Sequence, residues 1–335
     1  MFMNIFFSLL VLIIVGFALK RSELCMVKAI YTLGRYYHAV DLVSLMKVIL
    51  WGWLMVIVIS VIRPDLKPLW SGGFEPSIGM FIGGLIFGLG AAVNSACILS
   101  TLTRLGTGQL RMLFTLAGLS VGLVVHTSIQ FSNEPLLQDI QLLSSPARSG
   151  WPLNIQMVII PIVLLSLWAI REVVCQWFYV PALRPGGGFV LPTLGSPRSV
   201  TIALLGLAIG GLLFFYPFWS YPLIIEQVIH AAMGKGKVPE LSILLVIPAL
   251  LFGIIIAAMS TRQFRFEWKF QLSWILNGIG GFLMGFGCGL IPGDSLHLLF
   301  HALLSLSPHA LPALMVILIG MFSGSLLMKT IGLKT

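Results

Sequence analysis

Charge is what this sequence has least of. Of its 335 residues, only 9% are Asp, Glu, Lys or Arg, while 58% are hydrophobic. A soluble domain carries about 25% charged residues, so a cytoplasmic globular enzyme is excluded. Disorder is excluded as well, because it requires low hydrophobicity and high charge. Cysteine is scarce too. Cys25, Cys97, Cys175 and Cys288 are widely separated and form no CxxC, so neither a disulfide scaffold nor a zinc spacing is present. There is no P-loop, hence no ATP site to read. The net charge of +9 is dispersed between apolar runs. With no basic domain to bind nucleic acid, orientation in a membrane is the better use for it. What remains is a polytopic membrane protein, built at about 20 residues per span. Its 35 glycines fit close helix packing in lipid.

Nine apolar runs predict spans near 2–19, 40–62, 77–94, 109–126, 151–170, 200–219, 240–260, 272–290 and 309–328. The first lacks a basic n-region and a small-residue cleavage site, so it reads as a retained helix. With the N-terminus outside, 14 basic residues fall on inside segments, against Arg63, Lys67, Arg148, Lys235 and Lys237 outside. That bias predicts an outer N-terminus and an inner C-terminus. Segments 20–38, 95–108, 220–238 and 293–308 are too polar or too short to span, yet several are helix-like. Such pieces suit re-entrant or interfacial helices, which exist at membrane depth only when buried in protein or lining a cavity.

An internal repeat organises these segments. GGLIFGLGAAVNSAC at 83–97 and GGFLMGFGCGLIPGD at 280–294 align at an offset of 197. The offset matches Gly83 with Gly280, Gly84 with Gly281, Gly88 with Gly285 and Gly90 with Gly287. Two unrelated small-residue packing faces would give the same coincidence. On the duplication reading, five spans separate the copies, so they cross in opposite directions. Glycine-interrupted segments at matching places in inverted halves point to a transporter's site. The expected fold is therefore all-α, with about nine transmembrane helices and short re-entrant helices in an inverted-topology repeat. The chain would be a single polytopic domain over 1–335. Its halves would lie near 1–170 and 200–335, with a linker near 171–199.

The same offset places Cys97 opposite Asp294 and Arg104 opposite His301. Cys97 sits among Asn94, Ser95, Ser100, Thr101 and Thr103. A small polar patch after an apolar run fits a broken helix whose free N–H groups face an anion; a buried, inert thiol is the alternative. Cys25 lies between Arg21 and Lys28 at i−4 and i+3, so both cations can share its helix face and make the thiol more reactive. An interfacial cysteine beside orienting cations is the alternative there. Cys288 lies inside the second glycine run, and Cys175 reads as structural. Asp294, His297 and His301 fall at i, i+3 and i+7. HxxxH can hold a metal, but no sulfur or further carboxylate is near in sequence. A polar or proton-linked cluster is the better reading, since an ionisable residue at membrane depth points to function. His126, His230 and Glu226 fall at span ends and read as solvated.

Three stretches resemble the YeeE/YedE family of bacterial sulphur-transport membrane proteins. They are GFALKRSELCMVKA at 16–29, GGLIFGLGAAVNSACILSTLTRLGTGQL at 83–110 and GGFLMGFGCGLIPGDS at 280–295. The resemblance implies embedded cysteines that pass a sulfur-containing anion inward, which by position are Cys25 and Cys97. The family's third cysteine falls at Asp294, and Ser95-Ala96 stand where the family has glycines. The expected function is transport of a small sulfur-containing anion, thiosulfate first, without enzymatic turnover, cofactor or metal. Cys25, Cys97, Asp294, Cys288 and His297 are the expected contacts. The expected setting is the bacterial inner membrane, with a cytoplasmic sulfur-carrier protein as a candidate partner. The rivals are a transporter or channel for another small ion, a proton-linked solute carrier using Asp294, and an intramembrane thiol oxidoreductase or sulfurtransferase.

Overall fold

The protein is described by a computed structural model covering 2–63, 65–66, 73–74, 76–131, 146–147, 164, 167–168, 171, 197–214, 220–234, 236–268, 271–291, 293–305 and 307–330. The expected span 151–170 and Cys175 lie almost wholly outside these residues.

Apart from the helical residues 164, 167–168 and 171, the described helices fall into two series with the same rhythm. The first is α1 (Phe2–Ser22), α2 (Met26–Tyr36), α3 (Val40–Ile62), α4 (Ile78–Val93), α5 (Ile98–Gly106) and α6 (Arg111–Phe131). The second is α7 (Pro197–Leu212), α8 (Tyr221–Ala232), α9 (Val246–Ser260), α10 (Leu272–Leu290), α11 (Ser295–His297, continued by a π-helical turn, Leu298–Ala302) and α12 (Ala310–Thr330). A one-turn helix, Leu241–Leu244, precedes α9. Among the described residues, the strands are a two-residue antiparallel pairing of Gly73–Phe74 with Pro146–Ala147. Long and short helices alternate identically, so α2, α5, α8 and α11 occupy the four segments read as too short to span.

Among the described residues, six segments are long and apolar enough to cross a membrane: Val40–Ile62, Ile78–Gly106, Arg111–Ile129, Leu241–Ser260, Ser273–Leu290 and Ala310–Thr330. They correspond to six of the nine expected spans. The expected span 200–219 becomes the shorter apolar helix Arg198–Leu212, and 2–19 lies within α1. The chain is an all-α, multi-pass membrane protein.

Packing follows the same rhythm. Helices α4, α6, α10 and α12 form one cluster, in which α4 meets α10, α6 meets α10 and α4 meets α12. Helices α1, α3, α7 and α9 form the other, through α1 with α7, α1 with α9 and α3 with α7. Each of these contacts has its counterpart six helices along. The centre of the first cluster shows why glycine is needed there. A Cβ on Gly83 would lie 2.9 Å from the Gly287 carbonyl oxygen, and one on Gly287 would lie 2.7 Å from that of Gly83. Gly90 and Gly280 meet reciprocally at 2.7 and 2.8 Å. Position 83 beside 287 and 90 beside 280 means that α4 and α10 run antiparallel. Small residues let two backbones approach this closely in lipid, where van der Waals packing drives association.

Helix α4 has 16 residues, about 24 Å at 1.5 Å per residue. The hydrocarbon core is about 30 Å thick, so α4 alone is shorter than a full crossing, and the segment long enough to cross runs on to Gly106. Ser77 caps the start of α4 by accepting the Met80 N–H at 3.2 Å. At its end, the Ser95 and Ala96 N–H groups return to the Ala92 and Ala91 carbonyls at 3.0 and 3.2 Å. That turn puts Ser95 at φ +54°, in the left-handed region that glycine adopts most easily.

Candidate functional site

Four short-helix starts place the candidate residues. Cys25 caps α2, Cys97 caps α5, Ser220 caps α8 and Asp294 caps α11, each with extended backbone. In the first half, both caps are made by one local device. A long helix ends, a left-handed residue turns the chain (Glu23 at φ +51°, Ser95 at φ +54°), one residue follows, and then the cysteine begins the short helix. Gly293 at φ +110° makes the turn immediately before Asp294.

The structure brings the two expected cysteines together on one hydroxyl. The Cys25 thiol donates to Ser100 Oγ at 3.2 Å, and Cys97 Sγ lies 3.6 Å from the same oxygen. Ser100 Oγ donates to the Cys97 carbonyl at 3.1 Å. Cys97 is fully buried and Cys25 is 7% exposed. Asn94 fixes the break that presents Cys97. Its amide donates to the Ala96 carbonyl at 3.0 Å and to Thr101 Oγ1 at 3.2 Å, while Thr115 of α6 donates to its Oδ1 at 2.7 Å.

A pocket of about 380 Å³ leads to Cys25 and to the shared Ser100, with Cys97 buried behind them. It is lined by Lys20, Lys28 and Arg104 with one carboxylate, Glu23, and reaches Cys25 and Ser100. Three cations against one anion, beside the starts of α2 and α5, make a site that favours negative charge. Arg21 takes no part on Cys25's helix face. The turn at Glu23 ends α1 first, so Arg21 belongs to a different helix and lies 5.9 Å from the Phe17 ring centroid. Lys20 lines the pocket instead. Arg198 of α7 secures this turn, donating to the Ser22 carbonyl at 2.9 Å and pairing with Asp41 at the start of α3.

In the second half, Asp294 is fully buried. Its Oδ1 accepts the Ser220 hydroxyl at 2.6 Å and the His297 N–H at 3.2 Å, and its Oδ2 accepts the Leu296 N–H at 3.1 Å. The Tyr221 hydroxyl donates to the Ile98 carbonyl at 3.0 Å. One adjacent pair, Ser220-Tyr221, thus joins the carboxyl end of the site to the first residue of α5. His297 is buried, with its ring centroid 4.8 Å from that of His301. Among the described residues, no group of three or more His, Cys, Asp or Glu could hold a metal ion. Cys288 is buried within α10, so the place equivalent to Cys97 belongs to Asp294. His126 is not solvated: it is 3% exposed and packs 6.1 Å, edge to face, from the Phe286 ring. Glu226 and His230 are half-buried.

Sequence reasoning missed Ser220 and Tyr221. The repeat offset of 197 pairs Cys25 with Pro222, whereas the structural equivalent of the Cys25 cap is Ser220, two residues earlier. The signal was a short helix in each half after the first long one, with a polar or soft residue at its start.

A family model described as sulphur transport matches residues 21–323. A curated relative, the thiosulfate transporter TsuA of Escherichia coli (strain K12), is 26% identical over 317 residues, covering 88% of this chain and 86% of its own. The match runs from the pocket lysine region through both sets of caps and into α12, and the chain belongs to the sulphur-transport family.

Proposed function

We propose that the protein carries thiosulfate inward across the bacterial inner membrane, through the buried chain of caps from Asp294 and Ser220 to Cys97 and Cys25. The observation that carries this reading is the meeting of two thiols on Ser100, a residue that lines a basic pocket. A soft sulfur atom is well matched to thiols. The dianion's oxygens are matched to helix N–H groups and to Lys20, Lys28 and Arg104 at the mouth. The relative TsuA transports thiosulfate by its name, which supports the same substrate here. The ordered glycine contacts of α4 with α10 support an inverted repeat, with halves near 1–170 and 200–335. The 14-to-5 distribution of basic residues supports an outer N-terminus and an inner C-terminus, so that the basic pocket opens to the cytoplasm. A small sulfur-carrier protein waiting there would receive the anion. His297 and Cys288 would line or support the outer part of the path.

The reading excludes enzymatic turnover: the anion should emerge with its sulfur–sulfur bond intact. Proteoliposomes holding the purified protein should accumulate 35S-labelled thiosulfate, and the recovered label should still be thiosulfate. Recovery of sulfite, with persulfide on Cys25 or Cys97, would make the protein a sulfurtransferase.

A further inference from the structure

We infer that transport is proton-coupled, with Asp294 carrying one proton in the same direction as each anion. The inference rests on the thiosulfate reading and adds the driving force to it. Asp294 stands where the repeat places Cys97, at the start of the matching short helix, so an anion following the caps must pass it. An ionised carboxylate there would repel a dianion.

Two opposed features keep the carboxyl able to switch. Three donors converge on its oxygens: the Ser220 hydroxyl and the N–H groups of Leu296 and His297. Such donors favour the ionised form. Complete burial favours the neutral one, and among the described residues no Lys or Arg forms an ion pair with it. The ionisable groups that feel its charge are Tyr221 and Glu226 on α8 and Cys288 on α10, while His297 lies on its own segment, beside His301 and His309. None is a fixed cation that would hold the carboxylate ionised as an anion approaches. An arriving dianion therefore favours proton uptake by Asp294. By linkage, protonation favours the dianion to the same degree.

The step balances simply. An outer hydronium gives its proton to the carboxylate, the anion passes the neutral acid, and the acid returns the proton to water on the inner side. Only O–H bonds form and break, and nothing is oxidised or reduced. The charge moved inward per cycle falls from two negative to one.

The test uses the full-length protein in proteoliposomes containing a trapped pH-sensitive dye, with 35S-thiosulfate outside. Sulfur uptake and lumen acidification are read in the same vesicles. The expected result is acidification in step with uptake, and an initial rate raised several-fold by an acid-outside gradient. In Asp294→Asn, the ratio of proton flux to sulfur flux should fall to the background of protein-free vesicles, whatever sulfur flux remains. Should that variant elute as aggregate, Ser220→Ala carries the test. Loss of a donor to the ionised form should let Asp294 keep its proton at higher pH, moving the pH profile of uptake to the alkaline side. Sulfur uptake with an unmoved lumen pH, or an unshifted profile in Ser220→Ala, would overturn proton coupling. Absence of 35S uptake by wild type under every imposed gradient would instead overturn the thiosulfate reading.

Discussion

Replacing Ser100 with alanine removes the hydroxyl that both thiols share. Cys25 loses its acceptor at 3.2 Å, and Cys97 loses its polar neighbour at 3.6 Å. Cys97 is fully buried, and Cys25 is exposed only where the pocket reaches it. A typical hydrogen bond contributes about 0.5–1.5 kcal/mol net. If Ser100 aligns the thiols for passage of the anion, that loss appears in the barrier. At about 1.36 kcal/mol per decade, initial thiosulfate uptake should fall roughly 2- to 13-fold. The change leaves no bulky void, so membrane abundance should match wild type. The assay is initial-rate uptake at equal protein, together with the rate at which a thiol reagent added from the basic side labels Cys25. Labelling should change as the Cys25 thiol loses its fixed orientation. Ser323→Ala, on the exposed face of α12, is the control and should leave both readouts unmoved. Unchanged uptake with unchanged labelling in Ser100→Ala would refute the idea that this hydroxyl organises the thiols.

Asn94→Leu should lower the melting temperature in detergent, because it leaves the buried Thr115 hydroxyl without its acceptor, at about 1–3 kcal/mol for an unsatisfied buried group, while Thr101 keeps its bond to the Cys97 carbonyl. It should also reduce uptake by moving the break that presents Cys97. Arg198→Ala should cost about 2–3 kcal/mol, somewhat below a fully buried pair because the arginine is part-exposed, and differential scanning fluorimetry checks this. It should also speed labelling of Cys25 by loosening the turn at Glu23. A fluorescent reporter fused to the C-terminus should glow and alkaline phosphatase there should be inactive. The opposite pattern would reverse the assigned direction of transport.

The long spans were legible because lipid demands unbroken apolar runs, and six of them stand as helices at close to the expected bounds. The short helices were legible for the converse reason, polarity at membrane depth. The close approach of α4 and α10 was legible in their glycines, since a backbone meeting such as Gly83 with Gly287 admits no side chain. Single-residue turns were the hidden part. Glu23 in the left-handed region breaks α1 from α2, and nothing in its residue type signals that, so Arg21 and Cys25 read as neighbours on one face. Ser95 does the same work at a position where glycine would have announced it. The pairing of Ser220 with Asp294 spans 74 residues, and the meeting of Cys25 with Ser100 spans 75. Each contact lies within one half and is set by how that half folds on itself, which spacing along the chain does not encode. His126 read as solvated because it sits near a span end, but α10 covers it.

The account stands most directly on Cys97. Cys97→Ser keeps the side chain nearly the same size and preserves the cap, but it exchanges a soft atom for a hard one. Uptake of 35S-thiosulfate by this variant, at matched abundance and beside Cys175→Ser as comparator, is the deciding measurement. Near-complete loss of uptake in Cys97→Ser with wild-type rates in Cys175→Ser is the predicted result. Full uptake by Cys97→Ser would reduce the buried thiol to a packing residue and contradict passage of the anion through it.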